Sequence, residues 1–179
     1  MLGLFLLHYV NRAVIFPLRI ASDKPTPLLV FLMAFMFCFL NGYMQARDIT
    51  QYHRFEHDSE IRMWTGVTVF FIGMGINIDS DSILRNLRRG PQDAGKYYIP
   101  RGGMFDYVSG ANFFGEIVEW TGFALATGSV PAAVFAFFTV CNIGPRAVQH
   151  HLDYKIKFSG RDGKELYPVE RKALIPFLL

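Results

Sequence analysis

Between Thr26 and Ala46 the chain carries no charged residue. A helix needs roughly 20 mostly apolar residues to cross the hydrocarbon core of a bilayer, so this stretch alone points to a membrane. In lipid the protein itself must satisfy every backbone N–H and C=O, which leaves helices and closed barrels as the spanning structures. Composition agrees. Of the 179 residues, 51% are hydrophobic, 18% charged and 16% aromatic, whereas a soluble domain carries roughly 25% charge. Neither an ordinary water-soluble enzyme nor a disordered chain fits these values. The length suits a single domain. The net charge of +3 is small and dispersed, so no nucleic-acid partner is expected. Cys38 and Cys141 lie far apart in apolar runs, with no disulfide framework and no Cys-x-x-Cys spacing.

Four further windows are apolar enough to count. Met1–Ile20 is interrupted by His8, Asn11 and Arg12, and Met63–Ile78 ends at Asn77. Gly103–Thr127 is amphipathic, with Asp106, Glu116 and Glu119 inside it. Val130–Pro145 is uncharged, with Pro131 in its first turn, where proline is tolerated. The expectation is an all-α, polytopic transmembrane helix bundle. It forms one membrane domain over residues 1–179, with spans at about 1–20, 26–46, 63–78, 103–127 and 130–145. Residues 79–101 form a loop and 146–179 a tail. The first window is not a signal peptide, since it lacks a basic start and a small-residue cleavage site and carries Arg12.

The basic residues test this alternation. It places fourteen of the eighteen Lys and Arg on one side and three on the other, the last being Arg12. By the positive-inside rule the loop and the C-terminus are cytoplasmic and Met1 lies outside.

Ionisable residues inside such windows are costly and mark functional cavities by default. Asn77, Asp81, Leu84 or Arg85, and Arg88 share one helix face. Asn112, Glu116 and Trp120 recur at fours, as do His150 and Tyr154, and Tyr9 and Arg12 are an i, i+3 pair. Each has a plainer reading. Asp81 and Arg88 also suit a solvated helix exit, His150 an interfacial surface, Trp120 an aromatic belt, and Arg12 a snorkelling side chain. Glu116 and Asn112 resist such readings because both lie within a span on one face. Gly73 and Gly75 suit close helix packing. The loop LRNLRRGPQDAGKYYIPRGG is basic, with Tyr97 and Tyr98 before a rigid Ile-Pro, and its arginines suit a multiply charged anion. Ordinary cytoplasmic charges look the same. No GxGxxG follows a strand, no Walker loop exists, and no metal-ligand cluster is present beyond the weak His150-His151 pair.

Several long motifs occur in order. They are GMGINIDSDSILRNLR, IPRGGMFDYVSGANFFGEIVEW, RAVQHHLDYKIKF and RKALIPFLL, with LLHYVNRAVIFPL near the start. Together they resemble the C-terminal part of the steroid 5-alpha-reductases, the 3-oxo-5-alpha-steroid 4-dehydrogenases, along essentially the whole chain. The resemblance implies a seven-span membrane enzyme of the endoplasmic reticulum, or of a bacterial inner membrane, that uses NADPH. It would reduce the enone double bond of 3-oxo-4-ene, testosterone-like steroids to 5-alpha-dihydro products. Carried over by motif, Asn77, Asp81, Arg88, Tyr97, Asn112, Glu116, His150 and Tyr154 contact NADPH, Trp120 lines its cavity, and Arg12 and Lys24 lie near it. Tyr9 hydrogen-bonds the steroid ketone as the catalytic residue, and no metal is implied. The partners implied are an apolar enone substrate and the lipid bilayer.

The departures are specific. Relatives carry roughly two spans upstream, with a glutamate that joins the Tyr9 equivalent on the ketone, so this chain reads as a short form. A basic residue is usual where Tyr98 stands, and SGRDGKE (159–165) lengthens the tail. Three alternatives remain at this point. The first is a polyprenol or trans-2-enoyl-CoA reductase on the same scaffold, and the second a non-catalytic NADPH-binding form. The third, a small transporter, is disfavoured because no inverted repeat is visible.

Overall fold

The computed structural model describes residues 1–20, 25–52, 60–87, 93, 96–160 and 165–179. Lys24 and Arg88 lie outside the described residues. Six helices carry the fold: α1 (Leu2–Val10), α2 (Phe16–Arg19), α3 (Leu28–Arg47), α4 (Glu60–Asn86), α5 (Ala111–Thr127) and α6 (Val130–Lys157). A π-helical turn, Asn11–Ile15, joins α1 to α2, and a second, Asp48–Tyr52, extends α3. Among the described residues the only bridges between extended segments are isolated ones, Val108 with Lys172 and Ser159 with Leu166. The expected all-α bundle is the fold observed.

α3 with its π turn, α4 and α6 are long and apolar enough to cross a membrane. Every residue of α3 from Leu28 to Leu40 is exposed, with Phe31, Phe35 and Phe39 stacked along one side at 6.3 and 6.4 Å. A helix this apolar with so little covered suits a lipid environment.

The bundle is held by a seam between α4 and α5. A Cβ on Gly66 would sit inside the backbone of Ala126, one on Gly73 inside that of Glu119, and one on Gly122 inside that of Phe70. On Gly115 it would meet the Asn77 nitrogen at 2.6 Å. These glycines recur every seven residues on each helix, so the two antiparallel backbones touch at successive levels. In lipid, where the hydrophobic effect does not drive helices together, close backbone packing supplies much of the association. Gly73 fills the packing role expected of it. Gly75 does not: among the described residues nothing lies within 4 Å of its added Cβ, because two residues on along a helix is the opposite face.

The helix bounds depart from the apolar windows in three places. α4 runs on to Asn86, since its last two turns hold their polar face against neighbours rather than in lipid. Gly103–Asp106 is a 3-10 turn, and α5 starts only at Ala111. Gly102 and Gly103 both have positive φ, 89° and 54°, a backbone that an α-helix cannot continue through. α6 passes through Pro145 and reaches Lys157. Proline removes one N–H from the ladder, and the bonds on either side keep the helix intact.

Pro17 has the complementary effect on the first rod. It has no N–H to offer the helix, and immediately before it the Phe16 N–H bonds the Asn11 carbonyl five residues back. The result is a π turn that contains Arg12.

Trp120, 1% exposed, stands at the centre of the core. Ring centroids of Phe135 (4.5 Å), Phe123 (5.7 Å), Phe5 (5.8 Å) and Phe70 (6.4 Å) surround it. It is a core aromatic, not a belt residue.

Candidate functional site

The antiparallel order gathers particular helix ends. At one end of the bundle the termini of α2 and α4, the start of α5 and the end of α6 come together. At the other, Gln45 of α3 donates to the Pro131 carbonyl at the start of α6 (3.0 Å).

The gathered end is where most sequence-nominated residues stand. Arg12 Nη1 donates to Asp81 Oδ2 at 2.7 Å, tying the π turn of the first rod to α4. Asn77, one turn before Asp81, donates to the Asn112 carbonyl at 2.9 Å. The glycine seam makes that bond possible by bringing the two backbones into contact. Half-buried Glu116, one turn into α5, lies close enough to interact electrostatically with Asp81, Tyr9 and Glu119.

Between these elements opens a cleft of about 890 Å³, mouth included, lined by Arg12, Phe16, Arg19, Asp81, Arg85 and Asn112 among others. Among the described residues, three arginines line it against one carboxylate, and that carboxylate is already paired with Arg12. Such a surplus suits phosphate or another multiply charged anion. Spacing marks Arg85 only as an alternative to Leu84 on the Asn77–Asp81 face, and it does not mark Arg19 at all. Arg19 follows Arg12 by seven residues and Arg85 follows Asp81 by four, spacings that put each on its partner's face.

The other nominated residues stand around this end without entering the Arg12–Asp81 contact. His150 is exposed, its ring 5.8 Å from Phe113. Tyr154 is half-buried and stacks on Tyr167 at 5.4 Å, nearly parallel. Tyr97 is exposed, with the Lys157 ammonium 3.4 Å from its ring centroid, which holds the loop against the end of α6. Tyr98 donates to Asp93 at 2.8 Å, and this bond to a carboxylate raises its phenol above the ordinary value. Tyr9, half-buried, faces the interior rather than the cleft, 6.1 Å from the Trp120 ring and beside Asn41 and Cys38 of α3.

A polar knot fastens the tail beneath the same end. The Ser109 hydroxyl bridges His151 Nδ1 (2.6 Å) and the Tyr167 hydroxyl (2.7 Å). The Ser109 and Gly110 amides donate to the Lys172 and Ala173 carbonyls, and Arg171 donates to the Pro100 carbonyl. Of the two adjacent histidines, His151 is therefore the one built into the fold.

Sequence reasoning also missed His8 and Glu119 as a pair. Nδ1 and Oε1 are 2.9 Å apart in the core. The signal was available: His8 lies one turn from Arg12, Glu119 one turn from Glu116, and both are ionisable inside apolar windows.

The family model for 3-oxo-5-alpha-steroid 4-dehydrogenase matches residues 24–179. The chain belongs to that family. It is 51% identical to the type 1 3-oxo-5-alpha-steroid 4-dehydrogenase of Mus musculus, over 100% of this chain and 68% of that protein. It is 49% identical to the Homo sapiens type 1 protein, over 99% of the chain and 66% of that protein. With the type 2 protein of Sus scrofa the identity is 46%, over 99% and 67%. The chain thus spans about two thirds of the length of these relatives, aligned to their C-terminal part. The resemblance read from the motifs is borne out: this is a membrane enzyme of the steroid 5-alpha-reductase family, an oxidoreductase of steroid metabolism.

Proposed function

We propose that the chain reduces the carbon–carbon double bond conjugated to the 3-ketone of 3-oxo-4-ene steroids, giving 5-alpha-dihydro products, with NADPH as the reductant. The observation that carries this reading is the placement of Tyr9 and Arg12 one turn apart on the first rod. Arg12 serves a cationic cleft and Tyr9 the aromatic interior, so a charged cofactor and an apolar substrate would meet across one helical turn.

The cleft fits a dinucleotide phosphate by its donor set, with Arg12, Arg19 and Arg85 facing it beside Asn112. Asn77, Asp81, Glu116, His150, Tyr154 and Tyr97 stand around the same end and complete the proposed cofactor surface, with Trp120 behind it. NADPH, when bound, supplies the hydride. The protein's own contribution is to bind, orient and stabilise charge. Reduction of an enone places negative charge on the carbonyl oxygen, and a preorganised hydrogen-bond donor lowers that cost. In this reading the Tyr9 phenol donates there, and the cluster of Phe5, Trp120 and Phe135 against which it packs is a largely apolar setting suited to a steroid.

The charge distribution supports a membrane orientation with this end and the C-terminus cytoplasmic, and the steroid-enzyme family supports residence in the endoplasmic reticulum. The single membrane domain of five spans is part of the same proposal, α1–α2 and α5 crossing alongside the three longer helices. The experiment is titration of NADPH and NADH against detergent-solubilised chain, followed by nicotinamide fluorescence. Saturable NADPH binding that Arg19→Ala and Arg85→Ala each weaken supports the cleft. Unchanged affinity in both variants removes it.

A further inference from the structure

His8 and Glu119 are buried and do not line the cleft, yet they are joined across 111 residues of sequence at 2.9 Å, with side chains 6% and 0% exposed. A buried carboxylate is expensive unless paired. Glu119 bears that cost while its second oxygen, Oε2, has no partner among the described residues. Around the pair the core is apolar and mostly aromatic: Phe5, Trp120, Phe123 and Phe135, with Met74 and Ala132. Packing alone would be served by apolar side chains at these two positions as well.

The placement of His8 suggests what the pair does. It lies one residue before Tyr9 and about one turn before Arg12. The first rod is therefore tied at two heights, to α5 through Glu119 and to α4 through Asp81. One tie would leave the rod free to roll about the contact; two on neighbouring turns fix roll and height together. The His8 ring also rests 4.5 Å from Trp120, which closes the third side. Tyr9, next in sequence, is thereby aimed toward Asn41, Cys38 and the interior.

We propose that the His8–Glu119 pair is a positioning element for Tyr9, setting the roll of α1 so that the phenol meets the substrate ketone. The inference rests on Tyr9 being the ketone donor. His8 and Glu119 act through Tyr9 and need not touch the substrate.

The test uses the full chain in membranes, with saturating NADPH and a 3-oxo-4-ene steroid. His8→Phe keeps the ring volume and removes the bond, whereas Glu119→Gln keeps an oxygen that accepts from His8. Because misplacing a reacting group by about 1 Å can cost about 10²-fold, His8→Phe should lower kcat at least about tenfold, with NADPH affinity within about twofold of the parent. Glu119→Gln should lower kcat less than about threefold, and His8→Phe/Glu119→Leu should be no worse than His8→Phe alone, as expected of a pair acting as a unit. Should His8→Phe fail to accumulate, Glu119→Gln and His8→Gln against Glu119→Leu carry the same comparison.

A second readout needs no turnover. In a Cys141→Ser background, labelling of Cys38 by an apolar maleimide should speed up in His8→Phe, as Tyr9 leaves it, and stay at the parent rate in Glu119→Gln. Unchanged labelling in His8→Phe, or a kcat loss in Glu119→Gln as large as in His8→Phe, overturns the proposal. A parent chain without turnover counts against the role of Tyr9, and the labelling then decides the roll of α1 separately.

Discussion

Arg12 and Asp81, 69 residues apart in sequence, meet at 2.7 Å where the π turn of the first rod crosses the end of α4. The Asp81 side chain is 7% exposed and that of Arg12 31%. The carboxylate is therefore the member that depends on its partner. Removing one member of a fully buried pair costs about 3–5 kcal/mol. Because Arg12 keeps contact with solvent, Arg12→Met should cost less, about 2 kcal/mol. Asp81→Leu introduced beside it should restore at least half of that loss, since it removes the stranded charge. Unfolding by denaturing detergent checks both. A double variant less stable than Arg12→Met would contradict the account.

The α4–α5 seam makes a sharp contrast between two neighbouring glycines. Gly73→Ala drives a methyl into the Glu119 backbone, while Gly75→Ala points into open space. The first should cost at least about 3 kcal/mol and displace Glu119 from His8. The second should change stability by less than about 1 kcal/mol. Yield of folded, monodisperse protein and its thermal midpoint in detergent distinguish them.

Gly73 and Gly75 also show how far the sequence could be read. Helical periodicity in apolar windows was enough for an all-α membrane bundle, because lipid leaves few other solutions. Faces along one helix were legible too: Asn77 with Asp81, and Asn112 with Glu116, follow from spacing alone. Which residue on one helix meets which on another was not legible, since that depends on the roll and depth of each rod. Hence spacing shows Arg12 and Asp81 only as two separate features and does not pair His8 with Glu119. The same limit hid the choice between His150 and His151, decided by Ser109 and Tyr167 from two other segments. Trp120 had the pattern of an interfacial residue, and only the convergence of Phe5, Phe70 and Phe135 on it marks it as core.

The tail knot should be separable from the membrane core. Ser109→Ala removes the hydroxyl that links His151, Tyr167 and the Lys172 carbonyl. Each buried hydrogen bond contributes about 1 kcal/mol and an orphaned partner costs further, so residues 165–179 should loosen by about 2 kcal/mol. Limited proteolysis should then cut within the tail faster than in the parent, while the helices stay protected. Equal cleavage rates would mean that the tail is held by other contacts.

Glu116 separates the two proposed ligands. It lies within electrostatic reach of Asp81, which lines the cleft, and of Tyr9. As a cofactor contact, Glu116→Gln should raise the NADPH requirement by about tenfold, the cost of one charge-assisted hydrogen bond, and alter the steroid KM by less than about twofold. A variant with weakened steroid binding and unchanged NADPH affinity would reverse the assignment.

The central claim is that Tyr9 stabilises the enone oxygen during NADPH-dependent reduction. Its most direct measurement is 5-alpha-dihydro product formed by membranes containing residues 1–179, with NADPH and a 3-oxo-4-ene steroid, followed by mass spectrometry in parent and Tyr9→Phe. The account predicts product from the parent, a loss of about 10²-fold or more in Tyr9→Phe as for an oxyanion donor, and NADPH binding intact in both. Product formed equally well by Tyr9→Phe, or none from a parent chain that binds NADPH, would contradict it.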